Sequence, residues 1–169
     1  MHADRTPSSP PTVATLDVRN IHEAREVNHR YDAVVTAGPD ASEVRWGHPN
    51  HVVEEFDDVT SAEWGPQLTQ VEFLVSFGAR QRGSILVHCH AGVSRSTATA
   101  WGIAMARGAD PVVALTDLMD RHPLERDLRT PRPFFPNARI VDHLVAIFGD
   151  PTILDVYRAR VGDDLDRWW

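Results

Sequence analysis

Residues 85–102 read ILVHCHAGVSRSTATAWG, and the order of properties along them decides the fold. The apolar run Ile85-Leu86-Val87 has the composition of a buried strand. A short polar turn around Gly92 follows, and then an alanine-rich run that ends at Gly108, the usual place for a helix C-cap. Strand, turn and helix in that order put the turn at the carboxyl end of a strand, where open α/β sheets hold their ligands. Cys89, the only cysteine of the chain, stands at the mouth of this turn, between two histidines and six positions ahead of Arg95. A lone thiol can be a small buried hydrophobe, a metal ligand or a nucleophile.

Outward from this stretch, strands alternate with helices. YDAVVTAG (31–38) is a Val-rich strand closed by Gly38 and Pro39, and ahead of it Asn20 is placed to cap a helix over NIHEAREVNHR. HVVEEF (51–56) reads as a second strand, followed by the acidic, Trp-containing loop DDVTSAEWGP. From Gln67 to Gln81, Leu68, Val71, Leu74, Val75 and Gly78 recur at helical spacing. SILVHC (84–89) is the third strand, and 96–107 a helix. Asp110 and Pro111 open another helix through Leu115, Leu118 and Met119, with cap and first-turn proline together. LERDLRTPRPFFP is a loop, Ile140, Val141, Leu144, Val145 and Phe148 mark a further helix, and the chain closes on a charged segment ending in RWW. The plan is α/β with a mainly parallel sheet. Residues 1–11, polar and proline-rich, read as a flexible tail, 12–150 as the domain, and 151–169 as a helical tail packed on it.

Composition narrows the partners. A chain of 169 residues is one domain's length and can bury a core without disulfide or structural metal. Its net charge of −7, with every basic residue an arginine because lysine is absent, argues against nonspecific binding to nucleic acid or to an anionic membrane. A single well-placed arginine can still hold a dianion within an acidic surface. The N-terminus lacks an apolar signal region, and no window approaches the roughly 20 consecutive apolar residues of a membrane span. With one cysteine and no possible internal disulfide, a cytoplasmic monomer is expected.

The turn has the parts of an anion cradle. Successive backbone N–H groups in such a turn point inward, and the helix N-terminus adds positive partial charge. Gly92 suits a tight bend or a close approach of backbone to ligand. Arg95 supplies a planar fork that matches two phosphate oxygens. Helix terminus and Arg95 together favour the thiolate form of Cys89, which makes it a nucleophile. Ser96 can donate a hydrogen bond to the sulfur, and His88 is expected to orient the loop through a hydrogen bond to backbone.

VHCHAGVSRST (87–97) resembles the signature of the cysteine-dependent protein tyrosine phosphatases, His-Cys, five residues, Arg, then Ser or Thr. It is most similar to the dual-specificity branch and its bacterial relatives. The resemblance implies a parallel sheet with helices on both sides and no metal or organic cofactor. It implies Cys89 as nucleophile, the backbone of His90, Ala91, Gly92, Val93 and Ser94 with Arg95 as the phosphate clamp, and Ser96 as an aid to hydrolysis of the intermediate. The family also needs a general acid about thirty residues before the cysteine. EEFDDV offers Asp57 and Asp58, 32 and 31 positions before Cys89; Asp58 is favoured and Asp57 is its rival. RPFFPN (132–137) resembles the Arg-Pro and Pro-Asn elements before the family's last core helix, so the likeness runs over about residues 31–148. The partner implied is a phosphorylated protein, carrying phosphotyrosine or also phosphoserine and phosphothreonine, or a small phosphomonoester.

Other readings stand beside these. HCH with His48 and His51 of HPNH could be imagined as a zinc site, but a closed structural set usually draws on further cysteines, and the four histidines read as loop or entrance residues. Trp64 is placed either as a cap of the acid loop on the body or as a core anchor, Arg132 as a second phosphate contact or a solvated arginine, and His122 and His143 as surface or helix-end residues. Loops of this type that act on phosphoinositides carry lysines, whereas residues 90–94 are His, Ala, Gly, Val and Ser, which favours a monophosphate. The alternatives in function are a module that binds phosphorylated residues without turnover, and a thiol-dependent arsenate reductase or sulfurtransferase.

Overall fold

β-branched and apolar residues that alternate in facing but are apolar on both faces belong in the middle of a parallel sheet, and two such runs lie at its centre. In the computed structural model, which describes residues 15–122 and 133–162, the strands are β1 (Leu16–Arg19), β2 (Ala33–Gly38), β3 (His51–Glu55) and β4 (Ile85–His88). They form one sheet in the order β1-β4-β2-β3, every pair parallel, with Val35 beside Val87 and Val18 beside Val87 on the other flank. Parallel neighbours need crossovers, and the helices supply them: α1 (Ile21–Val27), α2 (Leu68–Arg80), α3 (Arg95–Ala106), α4 (Pro111–Asp120), α5 (Ala138–Phe148) and α6 (Thr152–Val161). This is the α/β plan read from the sequence, with two points to add.

The first is β1. Leu16 and Val18 are buried while Asp17 and Arg19 are half-exposed, an alternation too short to stand out in a sequence but sufficient for an edge strand. The second is a detail of α6, within the segment expected as a helical tail packed on the domain: Ile153 and Tyr157, one turn apart, are buried in the same core as the rest and Tyr157 Oη donates to the carbonyl of Pro136 at 2.9 Å. Residues 1–11, the loop 124–132 with Arg132, and the closing RWW lie outside the described residues.

The two sheet faces are unequal. Ala33, Val35, Ala37, Ile85 and Val87 point into the main core against α2 and α3, whereas Val34 and Leu86 point the other way, onto Ala24 of α1 with Tyr31 and Trp46. Asn20 caps α1 through a reciprocal pair with Glu23, and Asp110 caps α4 ahead of its first-turn proline. Helix α3 is enclosed: ten of its twelve residues are buried, and Trp101, fully buried, donates Nε1 to the carbonyl of Pro111 at 3.0 Å. Its small residues, Ala98, Ala100 and Gly102, let α2, α4 and α5 approach on separate sides. Among the described residues no helix is long and apolar enough to cross a membrane.

A polar chain runs across the minor face. Thr36 Oγ1 on β2 lies 2.6 Å from His88 Nε2 on β4 and 2.7 Å from His51 Nε2 on β3, and Trp46 stacks on both rings. One hydroxyl between two ring nitrogens donates to one and accepts from the other, so at least one of the two imidazoles, the acceptor, is neutral in this arrangement. Burial, aided by the neighbouring histidine charge, pushes His88 down from 6.5 to about 3, and burial chiefly pushes His51 down to about 4. His51, placed from sequence both at the start of the strand HVVEEF and among the loop histidines of HPNH, is thus a half-buried member of β3.

Two predictions follow from this packing. Ile153→Ala lowers stability by about 2–5 kcal/mol, read as a shift in the urea midpoint at unchanged slope. The histidine pair fixes a pH dependence: as pH falls through 6.5 the unfolded chain takes up protons that the folded one refuses until about 4 at His51 and about 3 at His88, so this stability is complete above 6.5 and is lost progressively below it. In His88→Gln the slope of unfolding free energy against pH between these limits becomes shallower by about one proton, or about 1.4 kcal/mol per pH unit. An unchanged slope would show that His88 is already protonated in the fold.

Candidate active site

The turn between β4 and α3 is held from outside by its carbonyls. His90 O accepts from Ile21 N at 3.0 Å, Val93 O from Phe135 N at 3.1 Å and from Thr97 Oγ1 at 2.7 Å, and Ser94 O from Asn137 N at 3.2 Å and from Thr97 Oγ1 at 2.8 Å. Because a peptide unit is planar and trans, the N–H groups of Ala91, Ser94 and Arg95 at the other ends of these units turn the opposite way. Gly92 has φ +71°, and a Cβ there would lie 2.7 Å from the Arg19 carbonyl carbon and the Asn20 nitrogen. No side chain fits, so the loop rests directly on the β1–α1 junction.

Inside the loop is the thiol. Cys89 is 1% exposed; its Sγ lies 3.1 Å from Ser96 Oγ and accepts from Gly92 N at 3.2 Å. Its histidine neighbours point elsewhere, His88 to Thr36 and His90 outward to Glu43 Oε2 at 3.2 Å. The three side chains of HCH therefore fan apart, and among the described residues no group of three or more His, Cys, Asp or Glu is arranged to hold a metal.

Arg95, the first residue of α3, folds back over the end of β2. It is 8% exposed, its Nη1 donates to the carbonyl of Phe56 at 2.8 Å, and its Nε has no hydrogen-bond partner among the described residues. Gly38, read from sequence only as a strand end, makes this possible: its φ is +104°, and a Cβ would run into the Arg95 guanidinium. Asp58 faces the same group. Its Oδ2 lies 3.7 Å from Arg95 Nε, and its Oδ1 accepts from Ser94 Oγ and from Asn137 Nδ2, each at 2.8 Å. Asn137, fully buried, also caps α5 by accepting from Ile140 N at 3.1 Å. One side chain thereby ties the last core helix to the acid loop. The sequence signal for it was a Pro-Asn pair ahead of a helix, read as a likeness but not as a contact. Asp57 turns its side chain to solvent while its N–H closes the acid loop on Trp64 O at 2.9 Å.

A cleft of about 630 Å³ opens over these groups, lined by Phe56, Asp57, Asp58, Trp64, His90 and Arg95 among others, with Cys89 buried beneath it. Trp64 is 64% exposed on its rim, so it is neither a core anchor nor a cap on the body, because the loop backbone rather than the indole carries the closing contact. His143 ties α5 to this loop from below through Pro66 O at 2.9 Å, and His122 packs edge-on against Phe134 at 5.1 Å. Cradle, recessed thiol and a guanidinium with spare donors make an arrangement able to hold a tetrahedral oxyanion above the sulfur.

No protein-family model matches the chain, and no curated protein matches it in sequence. Solved structures do. A mouse putative dual specificity phosphatase complexed with zinc tungstate is 22% identical with a TM-score of 0.59, over 91% of this chain and 96% of that one. The PTP-2 phosphatase of Cydia pomonella is 23% identical with a TM-score of 0.56, over 78% and 84% of the respective chains. The phosphatase domain of Yvh1 from Chaetomium thermophilum is 21% identical with a TM-score of 0.52, over 80% and 92%. With its four parallel strands, flanking helices and β4–α3 cradle, the chain has the fold of the cysteine-dependent protein tyrosine phosphatase superfamily, in the form shared by tyrosine and dual-specificity phosphatases.

Proposed function

We propose that the protein hydrolyses phosphomonoesters through a cysteinyl-phosphate on Cys89, with phosphotyrosine in proteins as its substrate class and phosphoserine and phosphothreonine as further members. The observation that carries this reading is the convergence of the Cys89 sulfur, Gly92 N and Ser96 Oγ next to a buried Arg95 whose Nε makes no hydrogen bond to a described residue. In the first step the thiolate attacks phosphorus, the P–S bond forms and the P–O bond to the alcohol breaks, with Arg95 and the loop N–H groups holding the equatorial oxygens. Asp58 gives its proton to the leaving oxygen. In the second step Asp58 takes a proton from water, the water oxygen bonds to phosphorus, and the P–S bond breaks; Ser96 donates to the departing sulfur. Asp58 is assigned the acid role over Asp57 because it faces Arg95 across 3.7 Å while Asp57 faces solvent. A reducing, cytoplasmic compartment, which the single cysteine fits, keeps the thiol in its attacking form.

The test is hydrolysis of a small aryl phosphate. Wild type turns it over, Cys89→Ser falls to background, Asp58→Asn loses on the order of 10²–10⁴-fold in kcat, and Asp57→Asn keeps most of the activity. Full activity of Cys89→Ser, or no turnover by wild type, would refute the hydrolase. Tight binding of phosphopeptides by a silent wild type would instead mark a binding module. Gly38→Ala, which displaces the Arg95 guanidinium, weakens competitive inhibition by tungstate by about tenfold or more, a loss of at least about 1.4 kcal/mol. Unchanged tungstate inhibition would show that Arg95 does not hold the oxyanion.

A further inference from the structure

The cleft over the cradle has the wrong charge for an isolated dianion. Six carboxylates line it, from Asp40, Glu43, Glu55, Asp57, Asp58 and Glu63. Against them, among the described residues that line the cleft, stand only Arg95 and His90 as basic groups. His90 is engaged with Glu43 at 3.2 Å, and Asp58 is the one carboxylate within ion-pair reach of Arg95. Asp40 and Glu55 accept from the backbone nitrogens of Ser42 and Ala41, neutral donors that leave their charge in place. A ring of this kind could by itself be only a solvated surface. Here it encloses a second, independent feature that points to an anion: Arg95, 8% exposed and lining the cleft, with an Nε that makes no hydrogen bond to a described residue and meets Asp58 only across 3.7 Å. An anion receptor set in an anionic rim fits a ligand that carries both signs. The rim also holds Trp64, 64% exposed, whose indole face offers a cation–π surface beside Glu63.

We propose that the cleft selects a phosphate group borne by a cationic peptide: the phosphate reaches Arg95, and arginine or lysine side chains next to the phospho-residue lie among Glu43, Glu55 and Glu63, one of them against Trp64. This rests on the phosphatase reading for turnover, but not for binding. The physical basis is that a bound ligand's charges lie in contact with the rim, closer than the screening length of about 8 Å at physiological salt, so the two act on each other without full screening. A low-dielectric cleft of one sign concentrates ligands of the other sign and repels its own. Phosphopeptides with acidic neighbours, and phosphorylated headgroups in an anionic lipid surface, meet repulsion at the rim before the phosphate reaches the cradle.

The experiment compares two phosphotyrosine peptides of equal length, one with arginines and one with glutamates at the positions flanking the phospho-residue, on the full-length chain. At about 0.05 M salt the ratio of kcat/KM, basic over acidic, is on the order of tenfold or more, and it shrinks toward one at about 0.5 M. The Glu43→Gln/Glu63→Gln double substitution lowers this ratio, a readout in which any loss common to both peptides cancels. A ratio at or below one in low salt, a ratio that the double substitution leaves unchanged, or faster hydrolysis of a phosphoinositide in anionic vesicles than of the basic peptide overturns the inference. If the aryl phosphate shows no turnover, the hydrolase reading fails separately, and binding of the same two peptides to Cys89→Ser decides the inference alone: tighter binding of the basic peptide upholds it, and equal or weaker binding overturns it.

Discussion

Burying a guanidinium costs free energy unless its N–H groups are matched, and Arg95 is buried with one nitrogen bonded to the Phe56 carbonyl and Nε bonded to no described residue. Much of the site is arranged around that cation. β2 ends in a glycine because any side chain there would occupy the guanidinium's space. β3 delivers a backbone carbonyl at Phe56 and, two residues on, the Asp58 carboxylate. Asn137, from the far end of the chain, fixes that carboxylate from the other side. A cation that is held in place but not fully satisfied has its orientation settled before a ligand arrives, so little reorganisation is left to the moment of binding.

The cradle itself depends on where its carbonyls go. Peptide units whose oxygens are tied to Ile21, Phe135, Asn137 and Thr97 cannot swing, and their N–H ends stay turned inward. The loop is thereby fastened to three parts of the fold: the start of α1, the segment before α5 and the first turn of α3. This explains why a short sequence motif requires an entire domain around it. The motif supplies the inward-facing groups, and residues distant in sequence supply the outward restraints.

Much of this was legible in the chain. β2 and β4 announce themselves as apolar runs, α4 by its Asp-Pro cap, α3 by alanines closing on Gly108, and the spacing of Cys89 to Arg95 identified the cradle. What the sequence hid was of one kind: features whose meaning depends on a distant neighbour. Leu16-Asp17-Val18-Arg19 is too short and too charged to read as a strand until β4 lies beside it. α6 was expected as a helical tail packed on the domain, but which of its residues reach the core, Ile153 and Tyr157, is set by α4 and α5 beside it. His51 belongs with His88 only because Thr36, on the strand between them, bridges both. Trp64 was read as either a cap of the acid loop or a core anchor, yet the loop closes through its carbonyl and leaves the ring outside. Asp57 and Asp58 are equivalent in spacing and differ only in which way the loop turns them.

Helix α3 is at once the continuation of the cradle and the most enclosed element of the core, with Trp101 and Ile103 fully buried a short way from Arg95. Sub-global opening draws on the least buried parts of a protein, whereas amides in such a helix exchange with solvent only when the whole domain opens. Arg95 and Ser96, in the first turn of α3, thus belong to the most enclosed element of the fold. Adaptation to different ligands, or control by other molecules, has to act on the opposite wall of the cleft, where residues 57–66 form a half-exposed loop outside the main core.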